Sequence, residues 1–224
     1  MENRRSKAKK CIIILEDLYG IPEAREIDPL DLLVATILSQ NTTDKNSLRA
    51  FGRLKSTYPD YDSVLRAPTS EIEDKIRVGG LSEMKARRIK ESLSKIKGHA
   101  ESISLSFLKD MELNEAREYL CSLPGVGPKT AAVILLFAYG FPVMPVDTHV
   151  FRISKRLGLV PEDANIEATQ RALEKITPSN KYMSLHINLI RHGRRICKAR
   201  NPLHSNCALQ KLCDYYCVAT RLKL

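Results

Sequence analysis

The sequence predicts an all-α protein, on three observations. Apolar residues recur at the spacing of one helix face, most clearly in Leu30, Leu33, Val34, Ile37 and Leu38. Glycine, proline and helix-capping residues divide the chain into lengths typical of helices. No segment shows the convincing alternation of apolar and polar residues that marks a strand. A chain of 224 residues that is 43% apolar is long enough for one large domain or two lobes, and it is too apolar to be disordered.

Start and stop signals place the helices of the first half. A short helix is predicted over 11–19, after a frayed basic tail and before Gly20. Asp28 and Pro29 open the next helix, since proline suits the first helical position. Further helices are predicted over 45–57, over 71–77 with Thr69 or Ser70 as cap, and over 83–97 between Ser82 and Gly98.

The second half follows the same rules. Asn114 is predicted to cap a helix over 115–122, and Gly140 to end one over 128–139. Asp147 or Thr148 is predicted to cap a helix over 150–157 that Gly158 ends. Helices are also predicted over 166–176 and 181–195, before a cysteine-rich loop.

Charge and hydropathy limit the class of protein. Thirty-six Lys and Arg against 26 Asp and Glu give a net charge of +10, which favours a polyanionic partner, most commonly nucleic acid. The longest apolar run, 131–139, is far below the ~20 residues that cross a bilayer. The N-terminus lacks the long apolar region and cleavage site of a secretory signal. We therefore expect an intracellular protein, in the cytoplasm or nucleoid.

The most informative segment is the glycine turn Leu123-Pro124-Gly125-Val126-Gly127, which joins two predicted helices. Glycines permit positive φ and leave no Cβ in the way of an approaching backbone. Amides at a helix N-terminus bind phosphate well. For a Gly-x-Gly pair alone, a plain helix–helix turn with a glycine cap is the favoured interpretation, and the longer string 123–131 is far more specific.

A lysine and a carboxylate follow this turn. Lys129 lies in the first helical turn, where the positive end of the helix dipole disfavours an ammonium, and a nucleophilic amine must be uncharged for part of the time. Asp147 follows eighteen residues later. Its carboxylate can stabilise a cationic, oxocarbenium-like transition state, orient a water or take a proton, and it can also cap the next helix. Together they indicate chemistry on a nucleic-acid backbone.

The segments 123–131 and 146–152 resemble those of the helix-hairpin-helix base-excision DNA glycosylases of the endonuclease III family. The match extends to 37–44, 79–86, 191–194 and the cysteine loop, and so covers nearly the whole chain. The resemblance implies two helical lobes with DNA in the cleft between them. Residues 25–140 would form a six-helix barrel with the hairpin at about 115–139, and 1–24 with 141–224 would form the second lobe.

The resemblance also implies an activity. A monomer would remove oxidised pyrimidines of the thymine glycol type from double-stranded DNA, with Lys129 as nucleophile and Asp147 as catalytic carboxylate. Relatives that only remove a base typically carry another residue at position 129, so strand cleavage by β-elimination is expected as well. The alternatives are a mismatch, uracil or 8-oxoguanine glycosylase and a non-catalytic DNA-binding module.

Base extrusion needs side chains that fill the gap in the stack. Leu81, between Gly80 and Ser82, matches the family's wedge, although a core leucine is the alternative. Gln40 or Asn41 would fill the remaining space. Other DNA contacts are implied for Gly125 and Gly127, directly or through a monovalent cation, and for Leu123, Thr130, His149 and Arg200. The residues Lys85, Arg87, Arg88 and Lys90 are expected to form a basic helix face that contacts phosphates or is solvated.

Four of the six cysteines lie in the last 28 residues, which suggests a metal centre rather than disulfides. The family's loop, Cys-x6-Cys-x2-Cys-x5-Cys, holds a [4Fe-4S] cluster, and here His204 stands in the second position between Cys197, Cys207 and Cys213. His204 could be a ligand, Cys217 could supply the fourth thiolate, or the cluster could be absent, with zinc or no metal in its place. We expect a structural [4Fe-4S] cluster that holds 198–200 toward DNA. Cys11 and Cys121 are expected to be buried thiols.

Overall fold

The computed structural model describes residues 4–23, 26–100 and 102–221, and the predicted all-α class is confirmed: these residues contain helices and no strand. The helices are α1 Arg4–Tyr19, α2 Pro29–Ser39, α3 Asp44–Thr57, α4 Tyr61–Arg66, α5 Thr69–Ile76, α6 Ser82–Ala100, α7 Leu113–Cys121, α8 Pro128–Tyr139, α9 Thr148–Arg156, α10 Ile166–Ile176, α11 Tyr182–Arg195 and α12 Asp214–Arg221. Short 3-10 turns lie at Arg77–Gly79, Ser106–Asp110, Ser179–Lys181, His204–Asn206 and Gln210–Leu212.

The chain divides into two compact units. One comprises Met1–Arg25 with Phe141–Leu224 and contains α1 and α9 to α12. The other is Glu26–Gly140 and contains α2 to α8.

Helix α8 is the centre of the Glu26–Gly140 unit. Seven consecutive residues, from Thr130 to Leu136, are buried, and the helix packs against α2 and α7. A helix that is apolar nearly all round belongs in a core. It begins with Pro128 and ends at Gly140, whose φ of 72° is the left-handed conformation of a glycine cap. The burial of α8 therefore fixes the position of the turn that precedes it.

Helix α11 organises the other unit by packing against α1 and α9. Leu185 and Leu189 of α11 are buried, and burial of each leucine contributes roughly 2 kcal/mol. The half-buried Glu16 carboxylate of α1 pairs with Lys181 at 2.9 Å and accepts a bond from Ser184 at 2.6 Å. These contacts hold α1 against the residues that open α11.

Several predicted helix boundaries are wrong. The N-terminal helix begins at Arg4, so residues 4–10 are helical and not a frayed tail. Its buried residues include Ala8 and Cys11, and the burial of Ala8 stabilises this first part of the helix. Gly98 lies inside α6 and does not end it. Helices α4 and α12 were not predicted, because each is only one or two turns long.

Two predicted caps are also wrong. Neither Thr69 nor Ser70 caps α5, because Pro68 occupies that position and Thr69 already belongs to the helix. Asn114 is inside α7, whose cap position is Glu112, and its side chain accepts from Arg117 instead. Within the described residues, no helix has the length and apolarity that a membrane crossing requires.

Candidate active site

The glycine turn has the geometry that its sequence predicts. Helix α7 ends at Cys121, and the Val126 N–H donates to the Leu123 carbonyl at 3.0 Å to close the turn. Gly125 has a φ of +81°, a conformation that other residues rarely adopt. The side chains of Leu123 and Val126 are buried, which leaves the backbone of the glycines at the surface.

Lys129 is the second residue of α8 and its side chain is exposed. Its neighbour Thr130 is buried, as is Leu123. Both were expected to contact DNA, and the burial of their side chains leaves their backbone as the part available for such a contact. The exposed amine and the start of α8 thus share one surface of the Glu26–Gly140 unit.

Asp147 belongs to the other unit and caps α9. Its Oδ1 accepts the Val150 N–H at 2.7 Å, as one of the two predicted caps requires. The residue is half-buried, and Oδ2 accepts no hydrogen bond from the part of the chain that the structure describes. The cap therefore fixes the carboxylate while one oxygen stays available for another group.

His149 is the second residue of α9 and is half-buried. Burial lowers the pKa of its imidazole, and Arg152 and Arg194 act in the same direction, while Asp147 acts to raise it. The Arg152 guanidinium lies 3.0 Å from Nδ1, and because arginine can only donate, Nδ1 is the accepting nitrogen. The tautomer that fits this contact is the neutral imidazole with its proton on Nε2.

The arginines of α9 also hold the loop after α11. Arg152 donates to the Cys197 carbonyl at 2.9 Å, and Arg156 donates to the carbonyls of Lys198 and Ala199 at 2.7 and 2.9 Å. Arg200 follows this anchored segment and is exposed. One helix thus presents Asp147 at its start and fixes the backbone of a basic loop at its end.

Two candidates for insertion into DNA differ in their surroundings. The Gln40 amide nitrogen donates to the Gly125 carbonyl at 2.8 Å, and its oxygen accepts from Arg88 at 3.1 Å. Asn41 is exposed and has a left-handed φ of 52°. Gln40 braces the glycine turn, whereas Asn41 projects from its own turn.

Leu81 has a similar placement. Its side chain is 53% exposed, and its φ of 49° follows a φ of 68° at Gly80. The alternative of a core leucine does not fit this exposure. Left-handed conformations at residues other than glycine are uncommon and cluster at functional sites.

The predicted basic face of α6 is wrong at Lys85. Its side chain is fully buried and its amine donates to two backbone carbonyls, because position 85 faces the core with Ile89 and Leu93. Lys90 is half-buried and donates to the Ala67 carbonyl, and Arg88 binds Gln40. Of the four residues, only Arg87 is exposed.

The cysteine loop brings the expected ligand types to one small cavity. Its lining includes Cys197, His204, Cys207 and Cys213. Burial raises the pKa of Cys207 and of Cys213, and the Cys197 charge acts in the same direction on both. The imidazole of His204 also lies against the rings of Tyr215 and Tyr216.

The side chains around this cavity do not converge on one point. Among the described residues, no three His, Cys, Asp or Glu side chains are close enough together to hold a metal ion. Cys217 is exposed on α12. Of the two remaining cysteines, Cys11 is buried as expected, whereas Cys121 is only half-buried. The donor set therefore matches a metal site in residue type, but its side chains are not arranged around one point.

Sequence reasoning missed His192 in this region. Burial lowers its pKa to about 4. Its Nδ1 lies 3.1 Å from the Tyr19 hydroxyl and its Nε2 lies 3.5 Å from the Cys207 sulfur. Both contacts are satisfied when Tyr19 donates to Nδ1 and Nε2–H points at the sulfur. The signal was the histidine in Arg191-His192-Gly193-Arg194, five residues before the first cysteine of the loop.

Comparisons with known proteins agree with this geometry. Residues 34–179 match the HhH-GPD superfamily of base excision DNA repair proteins. A protein of Arabidopsis thaliana, provisionally named a DNA glycosylase, is 41% identical over 175 residues; the alignment covers 78% of this chain and 59% of that relative. Endonuclease III of Thermotoga maritima is 36% identical, over 86% of this chain and 85% of its own length. A solved endonuclease III trapped as a covalent intermediate with DNA aligns with a TM-score of 0.81 at 32% identity, over 99% of this chain and 100% of that one.

Proposed function

The chain belongs to the endonuclease III family of the HhH-GPD base excision repair proteins, and we propose that Lys129 and Asp147 carry its chemistry. It is a bifunctional DNA glycosylase and AP lyase that acts on oxidised pyrimidines and binds damaged double-stranded DNA. In our proposal the Glu26–Gly140 unit is the expected barrel with the hairpin, in which the six-residue α4 adds a seventh, short helix to the expected six, and the other unit carries the cluster loop. Because its substrate is double-stranded DNA, we also propose that it works inside the cell, in the cytoplasm or nucleoid.

Lys129 is the proposed nucleophile. Its neutral amine attacks the sugar C1′, the bond from C1′ to the damaged base breaks, and the base leaves with the electron pair and takes up a proton. The bound amine then loses one proton, the bond from C1′ to the ring oxygen breaks as that oxygen takes up a proton, and an iminium remains. Removal of a proton from C2′ lets the bond from C3′ to the phosphate oxygen break, which cuts the strand. The exposure of Lys129 at the start of α8 is the observation that carries this proposal.

Asp147 is the proposed electrostatic partner. Positive charge develops on the sugar as the base leaves, and a carboxylate fixed beforehand stabilises it without reorganising. The bond from Oδ1 to the Val150 N–H provides that fixation, and Oδ2 is the oxygen that faces the charge. Asp147 is thus both a structural cap and a catalytic group.

Asn41 and Leu81 are the proposed residues that enter the duplex. Both are exposed and both have a left-handed φ. The amide of Gln40, by contrast, is bound to Gly125 and Arg88, so it supports the glycine turn. We expect Asn41→Ala to slow excision from duplex DNA, and Gln40→Ala to weaken binding through the glycine turn.

The turn itself is the proposed phosphate site. Amides of the Gly125 and Gly127 backbone, at the start of α8, suit a phosphate directly or through a monovalent cation. Helix α9 anchors the loop that presents Arg200, which supplies a further phosphate contact on the other unit. The exposed Arg87 of α6 is another candidate, and His149 is proposed to donate from Nε2.

The cofactor proposed for the cysteine loop is a [4Fe-4S] cluster. Three thiols and one imidazole line the same cavity, and this favours His204 over the exposed Cys217 as fourth ligand. The same donor set suits zinc, so metal analysis must decide between them. When bound, the cluster supplies a structural cross-link. The residues of the chain then hold 198–200 through Arg156, beside Cys197.

The experiment is borohydride trapping on a duplex that contains thymine glycol. Wild type and Lys75→Ala, which removes an exposed lysine from α5, should form a covalent adduct, and Lys129→Ala should not. If an adduct forms only on a duplex with a preformed abasic site, the proposed lyase activity stands, and thymine glycol is refuted as the substrate. Parallel duplexes with uracil, 8-oxoguanine or a mismatch test the alternative glycosylases.

A further inference from the structure

The buried lysine of α6 occupies an unusual position. Lys85 is fully buried, and its Nζ donates to the Leu38 carbonyl at 2.8 Å and to the Gly79 carbonyl at 2.9 Å. No carboxylate in the described part of the chain forms an ion pair with it. Burial lowers the pKa of the amine. An apolar side chain would fill this space without the cost of desolvating an amine, so the two carbonyl contacts need a reason.

Both carbonyls lie at the base of a turn that presents a residue proposed to enter DNA. Leu38 is in the last turn of α2, three residues before Asn41. Gly79 ends the turn Arg77–Gly79, two residues before Leu81. Carbonyls at a helix C-terminus lack intrahelical partners and carry partial negative charge, which suits an ammonium. One amine therefore binds the backbone beneath both insertion turns.

The two turns need such support. Asn41 and Leu81 are two of the three residues other than glycine with positive φ in the described part of the chain. Conformations of this kind persist only where the surrounding structure holds them. Gly79 is also closely packed, since a Cβ added there would lie 3.2 Å from Ala50. The contact with Lys85 is thus made at rigid points of the backbone.

Helix α6 also contacts the glycine turn, which is the third segment proposed to bind DNA. Arg88, one turn after Lys85, binds the Gln40 side chain at 3.1 Å. Its Cδ lies 2.8 Å from the position of a Cβ at Gly125. The core face of α6 therefore contacts the Asn41 turn, the Leu81 turn and the glycine turn.

We propose that Lys85 is a positioning residue that links the Asn41 and Leu81 turns, so that both side chains enter the duplex from one rigid support. The inference rests on the insertion roles proposed above for Asn41 and Leu81. Lys85 acts through the two carbonyls and does not itself contact DNA. Without the Lys85 amine, the two turns lose their common anchor. The proposed catalytic groups, Lys129 and Asp147, are unchanged.

The test compares Lys85→Met, which fills the space without a donor, with wild type on two substrates. Single-turnover excision of thymine glycol from a duplex should fall about 10- to 100-fold, the loss typical of misplaced groups. Trapping at an abasic site in single-stranded DNA, which has no opposing stack to fill, should stay within about threefold. Tyr139→Phe is the matched control, because it removes a half-buried donor to the Leu105 carbonyl in the same unit. It should leave both rates near wild type.

Further variants separate this inference from the function on which it rests. Leu81→Ala and Asn41→Ala should slow the duplex reaction, and Lys85→Met combined with Leu81→Ala should be little slower than the slower single variant. Normal duplex rates in Leu81→Ala and Asn41→Ala would overturn the insertion roles and the inference with them. If Leu81→Ala and Asn41→Ala are slow on the duplex, two results for Lys85→Met would overturn only the role of Lys85. These are a normal duplex rate and an equal loss of rate on both substrates. If Lys85→Met does not fold, Lys85→Gln, which keeps one donor group on a shorter side chain, takes its place. Its duplex rate should fall while trapping in single-stranded DNA stays near wild type, and an equal loss on both substrates would overturn the role of Lys85.

Discussion

Asp147 Oδ1 accepts the backbone N–H of Val150 at 2.7 Å, so the proposed catalytic carboxylate is also the N-cap of α9. Asn caps helices about as well as Asp, whereas Ala costs about 1 kcal/mol. We predict that Asp147→Asn unfolds in urea within about 0.5 kcal/mol of wild type yet excises thymine glycol at least about 100-fold more slowly. Asp147→Ala should lose both stability and activity. Equal excision by Asp147→Asn and wild type would remove the carboxylate from the mechanism.

The two glycines of the hairpin should respond differently to alanine. Gly125 has a φ of +81° and a Cβ there would meet Arg88 at 2.8 Å, whereas Gly127 has a φ of −101° and open space around it. Gly125→Ala should destabilise the protein by more than about 1 kcal/mol, and Gly127→Ala by less. Urea unfolding of the two variants measures this difference, and equal losses would contradict the turn geometry.

Variants of His204 and Cys217 should differ in the amount of metal that the protein binds. His204→Ala should lose iron, whereas Cys217→Ser should keep it, because His204 lines the cavity and Cys217 is exposed. His204→Cys should retain a cluster at a lower reduction potential, since imidazole ligands raise that potential. Iron and sulfide analysis with redox titration provides the readout. If wild type prepared without loss of metal contains zinc and no iron, the proposed [4Fe-4S] cluster is refuted and zinc is the cofactor.

His149 should contribute to the dependence of stability on pH. Its pKa in the folded protein is lowered, chiefly by burial, so the folded state binds its proton less tightly than the unfolded state does. The contribution of His149 to the stability of the fold should therefore be fully present above about pH 6.5, the ordinary histidine value, and should be lost as the pH drops toward the lowered pKa. In His149→Gln the fall should be shallower. Urea unfolding at a series of pH values checks this, and a steeper fall in the variant would reverse the sign of the effect.

Local chemistry explains which elements could be predicted. Helix α8 runs from Pro128 to Tyr139 as predicted, because its proline, its apolar run and Gly140 are all adjacent in sequence. Asp147 was predicted as one of two possible caps for the same reason. The burial of Lys85 was missed because the charges at 87, 88 and 90 suggested a solvated face. Its spacing to Ile89 and Leu93 places it on the core face of α6, and that signal was present in the sequence.

Contacts between distant residues could not be predicted. The choice between Gln40 and Asn41 depends on Gly125, 85 residues away. The bond between His192 and Tyr19 spans 173 residues. Such pairs are set by packing, which no local pattern in a single sequence records.

Locating the covalent bond tests the role of Lys129 most directly. After borohydride reduction on a thymine glycol duplex, nuclease and trypsin digestion should leave a sugar remnant on one peptide. Lys129 is the only lysine between Arg117 and Arg152, and its modification blocks cleavage there, so the remnant should lie on residues 118–152. Mass spectrometry that places it on Lys129 would establish the nucleophile. A remnant on another lysine or on the N-terminal amine would contradict the mechanism.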